Sequence, residues 1–456
     1  MLTDRLLALL LLVPGVVSAA SLEDFRHLVT RGTWEEKWPD KSGKLQARVV
    51  TAELWTQAMQ AALDQNSELR IPAREKPYDL DGPLTLKSGQ KLIADPKAEI
   101  RLKPGTNTCM VRNEHVVGFP DRPVPSDTQP DTDIHIEGGI WTTLGSANGN
   151  QRGASSKQNA VFGTHGVFLL QNIRRMTVRN ITVRQSRAFA VHLANVRDFT
   201  IENVTLEDHG RDGVHVNGPA SDGLIRGVRG DPHDDNIALN AWDWRNYAPS
   251  YGPIERIVVE DVTGAPEGTP AANSIRLLPG VKRFDDGTTL DCSLSGITLR
   301  RITDIREFKL YDQPNLEVGR DKDFSIGVGS MKNIQFEEIT FNHPGKIEVH
   351  ANIDGLVIQN VKLNHALTPG WHLLAIGPKS QTYQHGRPDQ PERWTEIFSP
   401  DLDCTVRHVR ISGVRKQGSQ DDLSVEQVVK VIQQRPNPDY PNSLPKGGMG
   451  KGVWIR

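Results

Sequence analysis

The stretch Asn172-Ile-Arg-Arg-Met-Thr-Val-Arg-Asn-Ile-Thr-Val183 recurs as Asn195-Val-Arg-Asp-Phe-Thr-Ile-Glu-Asn-Val-Thr-Leu206, 23 residues further along the chain. A repeat of this length that contains short β-branched runs is typical of one rung of a solenoid. Residues one repeat apart would then lie on neighbouring parallel strands, about 4.8 Å apart. Because no long helices separate these strand-like runs, we predict an all-β fold, a single-stranded parallel β-helix.

The repeat extends well beyond these two copies. Further versions occur at Ile254–Ala265, Leu294–Ile305, Met331–Asn342, Ile353–Asn364 and Val406–Val414. Before them, residues 52–64 carry apolar residues at helical spacing, which predicts a helix that caps the first rung. We therefore expect a signal peptide (1–20), an N-terminal cap with the first coils (21–133), a β-helix that carries the active cleft (134–414) and a C-terminal tail that packs on it (415–456).

Composition and the N-terminus limit the functional classes. The chain has 456 residues, 37% of them hydrophobic, and a net charge of −2, which gives no reason to expect nucleic acid or an anionic membrane as a partner. Arg5, the apolar run Leu6–Val17 and the small residues Val17-Ser18-Ala19 resemble a secretory signal. We expect a secreted or periplasmic protein, monomeric and without a membrane span.

Three aspartates coincide in the repeat. At the 23-residue offset Asp212 aligns with Asp235, and Asp234 stands beside it. Glycosidic cleavage needs one protonated carboxyl and one ionised carboxylate, and crowded carboxylates raise at least one pKa. We predict that these three residues form a catalytic cluster. The alternatives are an Asp-Gly turn at Asp212 and a solvated corner or a calcium site at Asp234 and Asp235.

A polar row accompanies the aspartates. His215 aligns with His192 one coil earlier, and Arg276 extends the row after an insert. Because they alternate with apolar residues, these side chains are expected to point outward on the aspartate-bearing face. We predict that His215 and Arg276 bind hydroxyls or a carboxylate of a sugar, or else form an exposed polar row. His233 either adjusts the pKa of its aspartate neighbours or belongs to a loop.

An aromatic insert follows the paired aspartates. Residues 241–251 contain Trp242, Trp244, Tyr247 and Tyr251. Ring faces suit the C–H faces of sugars, and a loop at this place would wall one end of a cleft. We predict that one or two of these rings contact substrate, with Trp242, Trp244 and Tyr251 as candidates, and that the others anchor the loop.

The segments Gly210–Asn217 and Gly230–Leu239 resemble glycoside hydrolase family 28, the polygalacturonases and rhamnogalacturonases. The resemblance implies a right-handed β-helix and inverting hydrolysis of a pectin-like polysaccharide without a cofactor. In it, Asp234 is the acid, while Asp212 and Asp235 hold the water. The chain departs from the family at Gly210 and Arg211, where the family has Asn-Thr, lacks a G-H-G motif, and has no lysine after Arg276.

Two other functions suit the same fold. In a polysaccharide lyase or uronate epimerase the aspartates would hold Ca²⁺, and Arg276 or Lys309 would abstract the proton at C5. A non-catalytic carbohydrate-binding or adhesive solenoid is the third hypothesis, because a fold alone does not imply catalysis. A secreted glycoside hydrolase is the leading hypothesis.

Overall fold

The computed structural model describes residues 20–116, 118–150, 166–243, 248–266, 268–269, 273–311, 329–377, 381–384, 394–397 and 405–431. The predicted signal peptide up to residue 19, Trp244 and the end of the predicted tail from residue 432 lie outside the described residues.

Most of the regular structure consists of strands. The strands are β1 (Ala20–Ser21), β2 (Thr30–Pro39), β3 (Leu45–Leu54), β4 (Glu68–Ile71), β5 (Tyr78–Leu80), β6 (Leu84–Leu86), β7 (Lys91–Ala94), β8 (Glu99–Leu102), β9 (Val111–Asn113), β10 (Asp131–Glu137), β11 (Ile140–Thr142), β12 (Gly166–Arg184), β13 (Phe189–His209), β14 (Val214–Pro232), β15 (Asp235–Asn240), β16 (Ile254–Thr263), β17 (Ser274–Leu278), β18 (Gly280–Arg283), β19 (Thr289–Cys292), β20 (Leu294–Thr303), β21 (Glu307–Tyr311), β22 (Ser330–Phe341), β23 (Lys346–His350), β24 (Asn352–Leu363), β25 (Leu374–Ile376), β26 (Gln381–Gln384), β27 (Trp394–Ile397), β28 (Val406–Lys416) and β29 (Val429–Val431). The helices are α1 (Thr56–Gln65) and α2 (Val425–Val428), with 3-10 turns at Leu22–Leu28 and Ser146–Asn148.

Successive coils pair as parallel strands in the register that the repeat predicts. Ile173 pairs with Val196, and Val191 pairs with Val214, each one repeat apart. β12, β13 and β14 are each 19 to 21 residues long because each follows its coil around the corners of the solenoid. A parallel β-helix is confirmed, and its coils carry the site residues as rungs of one ladder.

The interior consists of apolar side chains stacked from coil to coil. Val191, Val214, Ile237 and Ile275 occupy one inward row, and all four are fully buried. Each such side chain contributes about 1.5–3 kcal/mol when it leaves water. The alternating residues therefore have to point outward, and those of β13 to β15 form the face that carries the aspartates.

Asparagines stack at two of the corners. Asn172 and Asn195 are buried, have φ angles of 53° and 50°, and are joined by a 2.7 Å bond in which Asn195 Nδ2 donates to Asn172 Oδ1. Asn180 and Asn203 repeat the arrangement at an exposed corner with a 2.9 Å bond. Asparagine tolerates this left-handed backbone better than most residues, so it suits corners that must be stacked.

Both ends of the solenoid differ from the sequence-based expectation. The cap helix begins at Thr56 rather than at residue 52, because Leu45–Leu54 pairs with Thr30–Pro39 in an antiparallel hairpin. At the other end, β29 pairs with β25, so coils continue beyond the predicted boundary at residue 414. No helix in the described ranges is long and apolar enough to cross a membrane.

Candidate active site

One outward row of the ladder runs beside the predicted site. Its members, in order of successive coils, are Leu169, His192, His215, Ala238, Arg276, Lys309, Glu348, Ala375 and Lys430. The predicted row from His192 to Arg276 is confirmed. Lys309 lies directly beside Arg276 although a long insert separates their coils in the sequence.

The three predicted aspartates meet on this face. One carboxylate oxygen from each of Asp212, Asp234 and Asp235 lies within 4.8 Å of the other two, and we call this group the carboxylate cluster. Asp212 and Asp235 are buried, whereas the Asp234 side chain is 26% exposed. Asp234 is therefore the member that faces solvent. The predicted proximity is confirmed, and the catalytic roles remain predictions.

Basic side chains pair with the cluster. Arg211 Nη1 lies 2.8 Å from Asp234 Oδ2. Arg276 Nε lies 2.9 Å from Asp235 Oδ2, and Lys309 Nζ lies 3.0 Å from Asp235 Oδ1. Arg276 and Lys309 are thus bound to Asp235, which holds them beside the cluster. No lysine follows Arg276 directly in the sequence. Lys309, on the next coil, provides a cation beside Arg276 instead.

Asp234 has the protonation behaviour of an acid. Burial raises the pKa of its carboxyl to about 6, and the negative charges of Asp212 and Asp235 act in the same direction. Arg211 and Arg276 partly oppose this rise. Asp234 is therefore protonated in mildly acidic solution, as a general acid has to be.

Asp212 has the opposite behaviour. Burial disfavours its ionised form, but the hydrogen bond and charge of His215, together with Arg211 and Arg276, hold the pKa of Asp212 well below its usual range. His215 Nδ1 lies 2.6 Å from Asp212 Oδ2. The other oxygen, Asp212 Oδ1, is buried and has no hydrogen-bond partner among the described residues. Asp212 Oδ1 is therefore an unused hydrogen-bond acceptor within the cluster.

Three predicted substrate contacts are in fact buried. His215, Trp242 and Tyr251 are each 2% exposed. The insert folds back over the outward face, where Ser250 Oγ donates to Gly218 O at 2.7 Å, and it covers His215. Trp242 and Tyr251 therefore anchor the insert and do not line a cleft, which corrects the prediction. Trp244 lies outside the described residues.

The two histidines near the cluster have separate surroundings. His233 is exposed, and in the described part of the chain its side chain forms no hydrogen bond to the cluster. His209, to which the sequence analysis assigned no role, is fully buried with Nε2 2.9 Å from Asp212 O. Burial lowers the pKa of His209 to about 4, so it is neutral and supports the Asp212 backbone as a donor.

Two residues that the repeat did not predict also support the cluster. Ser274 Oγ donates to Asp235 Oδ1 at 2.5 Å, and Asp243 Oδ2 lies 2.9 Å from His215 Nε2. Ser274 pairs with Asp235 in the ladder, so a correct register across the insert would have placed it there. Asp243 belongs to the insert itself, where no repeat predicts a position.

The spacing of the cluster would allow a cation to bind, but its charges are already balanced. Its carboxylates contact the protein cations His215, Arg211, Arg276 and Lys309. A calcium site normally retains uncompensated carboxylates and carbonyl oxygens as ligands. The donor set therefore fits a Ca²⁺ ion poorly.

A groove of about 590 Å³ continues along the same face towards the C-terminal end. Glu307, Lys346, Glu348, Trp371 and Lys430 are among the residues that line it. Glu307 shares a ladder row with Asp235 and Ser274, so the groove begins one coil beyond Ser274. The groove has space for further units of a chain-like ligand.

Several solved structures are similar to this chain. A family 28 exopolygalacturonase from Yersinia enterocolitica has 13% identity and a TM-score of 0.41, covering 87% of this chain and 84% of its own. The surface protein and adhesin PfbA of Streptococcus pneumoniae has 11% identity and a TM-score of 0.47, covering 91% and 100%. The mannuronan C-5 epimerase AlgE4 A-module of Azotobacter vinelandii has 13% identity and a TM-score of 0.34, covering 83% and 95%.

No protein-family model and no curated protein sequence matches the chain. The similar structures include a hydrolase, an adhesin and an epimerase, so the chemistry has to be derived from the residues of this chain.

Proposed function

We propose that the protein is an exported glycoside hydrolase that cleaves an acidic, pectin-like polysaccharide with inversion at the anomeric carbon. The observation that carries the proposal is the meeting of three carboxyls within 4.8 Å of one another in unlike surroundings. Asp234 is partly exposed beside two other carboxyls, whereas Asp212 is buried against His215. Asp234 has its pKa raised to about 6, and the neighbouring Asp212 is held ionised. Environments that push the pKa values of neighbouring carboxyls apart are typical of an acid and a base that act together.

The roles follow from exposure and charge. Asp234, the exposed member, protonates the oxygen of the leaving sugar. Asp212 Oδ1 takes a proton from the water that attacks the anomeric carbon, and Asp235 shares in holding that water. Asp212 and Asp235 are 3% and 0% exposed. Because both lie deeper than Asp234, we assign them to the water rather than to the sugar carbon. Inversion is what the resemblance to family 28 implies.

The choice of an acidic substrate rests on the basic residues. The Arg211, Arg276 and Lys309 side chains surround the cluster and are 13–16% exposed. When Asp234 is protonated, its charge no longer balances that of Arg211, and the cations exceed the remaining carboxylates of the cluster. A guanidinium or ammonium group in excess attracts the carboxylate of a uronic acid, which a neutral polysaccharide lacks.

The ion pairs disfavour elimination. A lyase or epimerase needs an unprotonated base, but Arg276 and Lys309 are both bound to the Asp235 carboxylate, which favours their protonated forms. A purely adhesive role would not require the unlike protonation states of Asp212 and Asp234. These observations favour hydrolysis over both alternatives.

The test compares the wild type with Asp234→Asn on a panel of pectic and other acidic polysaccharides. We expect products that gain the mass of water, and a loss of about 10²–10⁴-fold in turnover for the variant. Asp222→Asn is the matched control, because Asp222 is an exposed ion-pair residue on the same coil with a φ of 57° that asparagine tolerates. It should leave turnover unchanged.

Two results would contradict hydrolysis. Unsaturated products that absorb in the ultraviolet, formed only without chelator, would establish a calcium-dependent lyase. Binding without turnover in the wild type across the whole panel, unaffected by Asp234→Asn, would establish a binding protein.

A further inference from the structure

His215 lies between two carboxylates. Its Nδ1 is 2.6 Å from Asp212 Oδ2 and its Nε2 is 2.9 Å from Asp243 Oδ2. All three side chains are less than 5% exposed. A neutral imidazole has one N–H group and can donate to one carboxylate alone, whereas an imidazolium donates to both. The geometry therefore suits a His215 that is charged, with a proton on each ring nitrogen.

The ring is held in this orientation from its faces and edges. Phe189 stacks on His215 with centroids 4.0 Å apart and planes 9° apart, and His192 meets it edge-on at 5.1 Å. The ring therefore cannot rotate without displacing packed neighbours. The two carboxylates at the ends of the ring therefore determine which of its nitrogens carry a proton.

Asp243 is itself fixed by amide donors. Asn217 Nδ2 and Asn240 Nδ2 lie 3.2 Å and 2.9 Å from Asp243 Oδ2, the oxygen that also faces His215. His192 Nε2, at 2.7 Å from Asn217 Oδ1, orients the Asn217 amide. Three donors on one carboxylate oxygen favour its ionised form. The amides thus place a fixed negative charge at the end of the imidazole that is remote from Asp212.

The charged groups around His215 come from several elements. Asp212 precedes β14, Asp243 belongs to the insert after β15, and His192 lies on β13. Burial opposes protonation of His215, but its hydrogen bonds and charge interactions with Asp212 and Asp243 outweigh burial and raise its pKa to about 9. Arg211 and Arg276, which act on Asp212, are further nearby charges in the described part of the chain.

We propose that Asp243 is a positioning residue, which keeps His215 doubly protonated so that His215 holds Asp212 ionised and leaves Asp212 Oδ1 for the attacking water. The contacts from Asp243 to His215 and from His215 to Asp212 connect the insert to the cluster, and none of them involves the substrate. It gives the insert a role in catalysis that its buried aromatic rings do not have. The part of this inference that concerns turnover rests on the proposed function.

The first test needs no activity. The measurement is a pH titration of the isotope-labelled full-length wild type by nuclear magnetic resonance. The imidazole of His215 should carry protons on both nitrogens at neutral pH and lose one only near its raised pKa of about 9. Asp243→Asn retains the size of the side chain and removes its charge. In that variant His215 should lose its second proton at a pH lower by at least about one unit. A neutral His215 in the wild type at neutral pH would overturn the inference, even if the variant did not fold.

The second test compares kcat and KM on the cleaved polysaccharide for the wild type, Asp243→Asn and Asp243→Glu. Because Asp243 touches no substrate in this inference, Asp243→Asn should lower kcat by at least about tenfold and leave KM nearly unchanged. Asp243→Glu keeps the charge and should recover part of the lost kcat. A role of Asp243 in packing alone would give equal losses in the two variants.

The two tests separate the two proposals. If no polysaccharide is cleaved while His215 titrates as expected, the proposed function fails and the role of Asp243 in holding His215 stands. If the wild type cleaves its substrate but His215 titrates at the same pH in Asp243→Asn, with an unchanged kcat, the role of Asp243 is refuted.

Discussion

Replacing Arg211 by glutamine should extend activity towards higher pH. Arg211 Nη1 lies 2.8 Å from Asp234 Oδ2 and opposes the rise in the pKa of Asp234. Glutamine can still donate a hydrogen bond to this oxygen but carries no charge. Asp234 would then be harder to ionise and would keep its proton to higher pH. Because Asp234 is the acid in our proposal, the alkaline limb of kcat/KM should move upward.

The size of the effect follows from the ion pair. Two charges about 4 Å apart near a protein surface interact by roughly 4 kcal/mol. Asp234 is 26% exposed, so solvent reduces the interaction, and Arg276 Nη2 remains 4.0 Å from Asp234 Oδ1. We expect about 1.5–3 kcal/mol to be lost, which corresponds to roughly one to two pH units. The alkaline limb should move from near pH 6 to about pH 7–8.

The assay is the full dependence of kcat/KM on pH for the wild type, Arg211→Gln and the control Arg256→Gln. Arg256 is an exposed arginine on a later coil that pairs with Asp222 and Glu255, so its loss should leave the profile unchanged. An alkaline limb that stays in place or moves downward in Arg211→Gln would refute Asp234 as the acid.

Two further predictions concern stability and are measured by denaturant unfolding. Trp242→Ala should lower the free energy of unfolding by about 3–5 kcal/mol, because the buried ring anchors the insert, and should also reduce turnover by displacing Asp243. Unchanged stability would mean that the ring is not an anchor. Asn195→Ala should cost about 2 kcal/mol, since it removes the bond to Asn172 and places alanine, which tolerates the left-handed region less well than asparagine, at a φ of 50°. Asn195→Gly, which tolerates that φ, should cost about half as much, and equal costs would contradict the backbone argument.

The repeat made much of the fold predictable. Wherever two coils have the same length, a constant offset is also the strand register, so Val191, Val214 and Ile237 could be placed on one inward row. The same offset brought Asp212 next to Asp235 and aligned His215 with His192. These predictions needed only the alternation of side chains along a strand.

The predictions failed where coils differ in length. Arg276 and Lys309 share a row, but the insert between their coils conceals this register in the sequence, so Lys309 could be proposed as a base but not as a partner of Asp235. An inserted loop has no repeat to follow, and its position depends on what it can bury. The cap helix was placed too early for a related reason, since an antiparallel hairpin competed for its first residues.

The sequence by itself determined which residues stack, because stacking follows from coil length and strand alternation alone. Only the tertiary structure decided which of them face solvent. The insert covers His215 with Asp243 and buries Trp242, while Asp234 stays open. Burial and neighbouring charges then set the pKa of each group. A carboxyl beside two carboxylates keeps its proton to a higher pH than usual, and an imidazole enclosed between two carboxylates keeps both of its protons. The protonation states on which the proposed chemistry depends are thus a property of the folded chain.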